Sequence, residues 1–189
     1  MLKIIKKLDW YYKGVILEGL IFVFAIVLNY LFKTDIFHNF HIDGYSLIMG
    51  TAFVFPPFVL FIVLSKTDLK PFKKIQEILD NIINYYFGSC SIIKLATISL
   101  IAGLSEEAFF RGFLQAVIAN NFGEFAGIIV ANLIFGALHL ITLTYGIIVF
   151  FIGCYLSAIL HYTDSLFVLM WCHFVYDFFA LLYLRYSKK

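Results

Sequence analysis

Between Glu124 and Asp164 the chain runs for 39 residues without an Asp, Glu, Lys or Arg. A globular domain in water is about one quarter charged, so a run of this length has no natural place in one. A bilayer's hydrocarbon core is about 30 Å thick, and about 20 helical residues cross it. The run is therefore long enough for a hairpin of two crossings. Backbone groups in lipid find no water, and a helix satisfies them within the segment. The rest of the chain agrees: 62% of the 189 residues are hydrophobic, 14% are charged and Phe alone contributes 23. The formal net charge of +2 is too small to point to a nucleic-acid partner.

Read on these terms, the sequence predicts an all-α, polytopic integral membrane protein. About six transmembrane helices are expected, near 14–32, 45–65, 91–120, 125–141, 143–160 and 165–184. Residues 1–189 read as a single membrane domain. Trp10, Tyr11, Tyr12 and Tyr30 bracket the first span as an interfacial belt, and Glu18 falls near its end, in reach of headgroups. No convincing cleavage site follows, so this span reads as a retained anchor. Pro56 and Pro57 predict a kink in the second span. The third span is too long for the bilayer, which predicts a break or strong tilt, with Gly103 as the candidate point. Between the second and third spans, Phe72, Ile75, Ile78, Leu79, Ile82, Ile83 and Tyr86 recur at helical spacing opposite lysines and acids. That pattern fits a helix lying on the cytoplasmic surface of the membrane or packed on the spans.

Basic residues cluster in three places: Lys3, Lys6, Lys7 and Lys13; the 66–74 loop; and Arg185, Lys188 and Lys189. With six spans these fall on one side, which the positive-inside rule makes cytoplasmic. The expected location is the cell membrane, with both termini in the cytoplasm. Cys90, Cys154 and Cys172 lack ligand spacing and read as small apolar core residues.

Against this background Glu106, Glu107, Arg111, His139, His173 and Asp177 stand out. A charge at the centre of a membrane helix costs about 3 kcal/mol by insertion scales, so such groups face one another or a polar cavity. Glu107 and Arg111 are four apart and share a helix face, where they can pair as a structural brace. Glu106, one residue earlier, points elsewhere and is left as the working group. His173 and Asp177 also share a face, and His139 ends the fourth span. An acid, two imidazoles and a second acid suit activation of a water molecule or coordination of a divalent metal. If a metal such as zinc is present, Glu106, His139 and His173 would hold it; no cofactor is firmly implied.

Three motifs carry a resemblance. EEAFFR (106–111), FGALH (135–139) and HFVYD (173–177) resemble, in order, the motifs of the CPBP family of intramembrane endopeptidases, which includes CAAX-processing and bacteriocin-processing (Abi) proteins. The resemblance covers about residues 90–184. It implies that Glu106 activates the attacking water with help from His139, that Glu107 and Arg111 are the brace, and that His173 and Asp177 meet the oxyanion. Family members that process prenylated proteins carry Asn where this chain has Asp177. Asn donates hydrogen bonds, whereas an ionised Asp only accepts them, which leaves three roles open for Asp177: a donor kept protonated by burial, a group that orients His173, or a metal ligand. The implied function is an endopeptidase, of glutamate or metallo type, acting on a membrane-associated peptide or protein tail. A composition rich in Lys and Ile points to a prokaryotic source; for such a source the resemblance implies bacteriocin maturation or self-immunity, with a leader peptide or another membrane-associated peptide as substrate. Two rivals remain at this level: a non-catalytic bacteriocin-immunity or scaffold protein, and a small transporter using the same carboxylates. Oligomeric state is not readable.

Overall fold

The computed structural model describes residues 9–35, 37 and 40–186. Lys3, Lys6, Lys7, Lys188 and Lys189, which enter the orientation argument, lie outside the described residues. The chain is all-α. Helix α1 spans Trp10–Phe32, α2 Gly44–Ala52, α3 Phe55–Ser65, α4 Lys70–Phe87 and α5 Ile92–Glu107. A π-helical segment, Ala108–Gln115, joins α5 to α6, Ala116–Phe122; then follow α7 (Glu124–Leu138), α8 (Leu143–Thr163) and α9 (Leu166–Tyr186).

Local sequence explains several boundaries. The Asp43 carboxylate accepts the Ser46 N–H at 2.7 Å, the Ser91 hydroxyl accepts that of Lys94 at 3.2 Å and the Thr142 hydroxyl that of Tyr145 at 3.1 Å. Each fills an orphan position at a helix start, as short polar side chains do. Pro56 and Pro57 interrupt the second span as expected, and α2 stops at Ala52 while α3 restarts at Phe55. The prolines thus occupy the first turn of α3, where a missing N–H leaves no bond unmade. At the other end of α3, the Gln76 amide of α4 donates to the carbonyls of Leu64 at 2.9 Å and Thr67 at 3.4 Å.

Among the described residues, four helical stretches are long and apolar enough to cross a membrane: Trp10–Phe32, Gly44–Ser65, Leu143–Thr163 and Leu166–Tyr186. Lys70–Phe87 and Ile92–Phe122, bent by 114° to each other, make a fifth if taken as one broken span. The expected fourth span is shorter than predicted. Helix α7 has 15 residues, about 22 Å of rise, because the chain leaves the helix at His139.

α9 lies at the centre, packed along α5 and also against α2, α4 and α8. α1 lies on α5 and the π-helical segment, and α7 and α8 form a hairpin. The predicted break at Gly103 is not there. The departure from α-helix comes later, over Ala108–Gln115, and Gly103 is instead the point of closest approach between α5 and α9. A Cβ at Gly103 would lie 2.9 Å from both the Met170 carbonyl oxygen and the Phe174 amide nitrogen. Small residues at helix crossings replace the hydrophobic drive that lipid removes. The apolar face predicted for α4 is present, with Ile75 and Ile83 buried and Lys73, Lys74 and Glu77 exposed.

Candidate active site

The six polar residues singled out in the spans come together where α5, the π-helical segment, α7 and α9 meet. Glu107 is the last residue of α5 and is fully buried. Its Oε1 accepts from Arg111 at 2.9 Å and from His173 Nδ1 at 2.7 Å. Arg111, itself 1% exposed, continues inward and donates to Asn132 Oδ1 of α7 at 2.9 Å. Asn132 donates in turn to Ser157 Oγ of α8 at 2.8 Å, and Ser157 donates to Gln115 Oε1 at 2.7 Å. A buried charge without partners costs several kcal/mol, and a pair holds only when further hydrogen bonds satisfy it. This chain of contacts supplies several of them, leaving Glu107 Oε2 and Arg111 Nε without a partner among the described residues, and it joins α5, the π-helical segment, α7, α8 and α9. Gly153 makes room for it, since a Cβ there would collide with the Asn132 and Arg111 side chains.

Phe135 separates the two polar zones. Its ring carries the Arg111 guanidinium 4.5 Å from the centroid, and the His139 ring lies 4.5 Å from it. Its carbonyl accepts from His139 Nδ1 at 2.8 Å. A carbonyl can only accept, so Nδ1 of His139 carries the proton. The same holds for His173, whose Nδ1 meets the Glu107 carboxylate. Both rings are therefore fixed through Nδ1, and both present Nε2 to one place.

That place is occupied by Glu106. Its Oε2 stands 3.9 Å from Nε2 of His139 and 3.9 Å from Nε2 of His173. It is buried and has no hydrogen-bond partner among the described residues. Asp177 Oδ2, one turn after His173, lies 3.5 Å from the same His173 Nε2. An apolar cavity of about 130 Å³ is lined by His139, His173 and Asp177 together with Tyr145, Ile148 and Tyr176. It continues past Pro57, Leu60, Leu64, Phe72 and Ile152 into a wider groove of about 500 Å³ between α3, α4 and α8.

Among the described residues no three His, Cys, Asp or Glu side chains are disposed to hold one metal ion. Ligand atoms around a tetrahedral zinc with bonds of about 2.0–2.1 Å lie roughly 3.3 Å apart, closer than the 3.9 Å found on both sides of Glu106. The set Glu106, His139 and His173 as placed does not fit that ion.

Several participants escaped the sequence reading. Asn132, Ser157 and Gln115 are each lone polar residues in apolar helices, a signal weaker than a charge. Glu18 was expected near the headgroups. Instead Ser105, fully buried and next to Glu106, donates to Glu18 Oε2 at 2.6 Å. Glu18 turns inward because a bonded carboxylate is cheaper than one left in lipid. Trp10 and Tyr11 belong to α1 itself; Tyr11 is buried against Cys90, Leu95 and Ile98, and Trp10 meets the Tyr86 ring at 4.8 Å.

These features define an all-α, multi-pass membrane protein with a buried cluster of carboxylates and histidines arranged like a protease site. Residues 88–179 match the family model of the Rce1-like type II CAAX prenyl endopeptidases. All three motifs lie inside that range. No curated protein and no solved structure matches the chain.

Proposed function

We propose that the protein is an intramembrane endopeptidase that hydrolyses membrane-associated peptides or protein tails with a glutamate-activated water. One observation carries the reading. Glu106 Oε2, unpartnered among the described residues, faces two imidazole Nε2 atoms at equal distances of 3.9 Å, and both histidines line an apolar cavity. Two hydrogen bonds of about 2.8 Å meeting near a right angle span about that distance, which is the geometry of one bridging water.

In this reading Glu106 takes a proton from the water while its oxygen bonds to the scissile carbonyl carbon. His139 Nε2 accepts the second O–H and fixes the water's direction. The carbonyl π pair moves onto oxygen, where His173 in its charged form donates from Nε2. Collapse of the tetrahedral intermediate breaks the C–N bond. Glu106 returns its proton to the departing amine, leaving a carboxylic acid and an amine. Glu107, Arg111 and Asn132 hold His173 without touching the substrate. Enclosure by apolar helices strengthens each contact.

The same reading gives the chain six crossings, with Ile92–Phe122 as one and the short α7 as another. α4 lies along the cytoplasmic face and both termini are cytoplasmic. The groove between α3, α4 and α8 admits an apolar segment, which suits a hydrophobic peptide.

The test is cleavage of a synthetic peptide library by the purified protein in dodecyl maltoside, read by mass spectrometry. Glu106→Gln is expected to abolish product, a fall of at least 10³-fold, without lowering the melting temperature. Identical products from parent and Glu106→Gln would overturn the proposal.

A further inference from the structure

The oxyanion formed at this site needs hydrogen-bond donors, and the motif residues supply few. His139 has committed its Nδ1 proton to the Phe135 carbonyl. His173 donates from Nε2 only in its charged form. Asp177, when ionised, has no proton to give, and it lies 3.5 Å from His173 Nε2, where it competes for that donor. A catalytic amide at position 177 would have solved this; the chain has a carboxylate.

A different side chain is built into the same wall. Tyr145 lies in the first turn of α8, and its N–H is bound by the Thr142 hydroxyl at 3.1 Å. Its ring packs against the cluster of Phe110, Phe135 and Val149. It therefore sits against the cluster that includes Phe135, whose carbonyl fixes His139, and it lines the same cavity as His139, His173 and Asp177. A phenol is neutral below about pH 10, so it keeps its donor across the working range. The cap and the aromatic packing hold it on a rigid helix start, as a preorganised donor requires.

We infer that Tyr145 is a further catalytic residue, whose phenolic O–H donates to the oxyanion and supplies a hydrogen bond that an ionised Asp177 cannot give. The inference rests on the peptidase reading above. It also explains how the site tolerates a carboxylate at 177: Asp177 orients His173, and Tyr145 meets the charge. The negative charge that leaves the carbonyl carbon for oxygen is then shared by Tyr145 and charged His173 until the C–N bond breaks.

The experiment uses the full chain in dodecyl maltoside and one peptide that the parent cleaves. Kinetics are compared for the parent, Glu106→Gln, Tyr145→Phe and the double variant Tyr145→Phe/Asp177→Asn, with melting temperature measured for each. Removal of one oxyanion donor lowers kcat by about 10²–10³-fold. Tyr145→Phe is expected to lose about 10²-fold in kcat with KM within about threefold of the parent and an unchanged melting temperature. Adding Asp177→Asn, which restores an N–H donor, is expected to recover at least tenfold of that loss. A fall of less than tenfold in Tyr145→Phe overturns the inference, and so does a larger fall that Asp177→Asn leaves unrepaired. In either case an active parent and a silent Glu106→Gln leave the peptidase reading standing. A parent whose cleavage matches that of Glu106→Gln removes both.

Discussion

α1 and α9 are of similar length, 23 and 21 residues, and α1 is the more apolar of the two. Yet only 6% of the most apolar window of α1 is buried, against 44% for α9. In water the more hydrophobic helix would be the one inside. In lipid the acyl chains solvate Leu and Phe as well as protein does, so hydrophobicity gives no reason to be central. What drives α9 inward is its polar content. His173 and Asp177 cannot face lipid, and Glu107 and Arg111 on the neighbouring helix need partners. The polar residues, few as they are, decide which surface of each helix faces the others.

The sharpest way to break that contrast is to remove a member of the buried network. Arg111→Ala leaves the Glu107 carboxylate buried beside His173 with its main partner gone. Breaking a buried pair costs about 3–5 kcal/mol, so the variant is expected to aggregate or to lose most of its thermal stability in detergent. Size-exclusion chromatography and a melting curve check this; a parent-like melt would mean that the network does not hold α9 in place.

A matched pair of glycines gives the next largest effect. A Cβ at Gly103 meets the α9 backbone at 2.9 Å, whereas at Gly19 of α1 nothing lies within 4 Å. Gly103→Ala is expected to cost about 1–3 kcal/mol as overpacking. Gly19→Ala is expected to be neutral or to stabilise α1 by up to about 1 kcal/mol through helix propensity. Equal shifts in melting temperature would show that α5 and α9 are not in close contact.

The smallest effect is expected at the Ser105–Glu18 tie between α5 and α1. Glu18→Ala frees the Ser105 hydroxyl to donate to the Ala102 carbonyl, 3.2 Å away, so the hydroxyl has a partner to turn to. Polar bonds between membrane helices average about 0.6 kcal/mol, and a stability loss of that order is expected. A melting-temperature loss as large as that of Arg111→Ala would make α1 as dependent on its polar group as α9 is.

Much of this was legible beforehand, for reasons that can be named. The helical class followed from lipid, where a backbone must bond to itself. Glu107 and Arg111 could be paired from their spacing, because four residues return a helix to the same face. The interruption at Pro56–Pro57 followed from the missing N–H groups. Other features were not legible. Gly103 looked like a weak point in an overlong span, but whether a glycine breaks a helix or seats a neighbour depends on what crosses it. Glu18 looked like a headgroup contact because Ser105 is 87 positions away in sequence. His173 was paired in advance only with Asp177, its neighbour on the helix, while its shortest bond runs to Glu107 on another helix.

By itself the sequence determined the solvent this chain belongs in, the helices that follow from it and the short list of groups too polar to face lipid. Only the tertiary structure decided which of those groups meet. Adjacent carboxylates of the same type, Glu106 and Glu107, are separated by a single peptide bond. One is sealed into an ion pair with Arg111, and the other is turned toward two imidazole nitrogens. Spacing along a helix fixes direction around its axis. What stands in that direction is set by how other helices pack, and those contacts span tens of residues that no local pattern encodes.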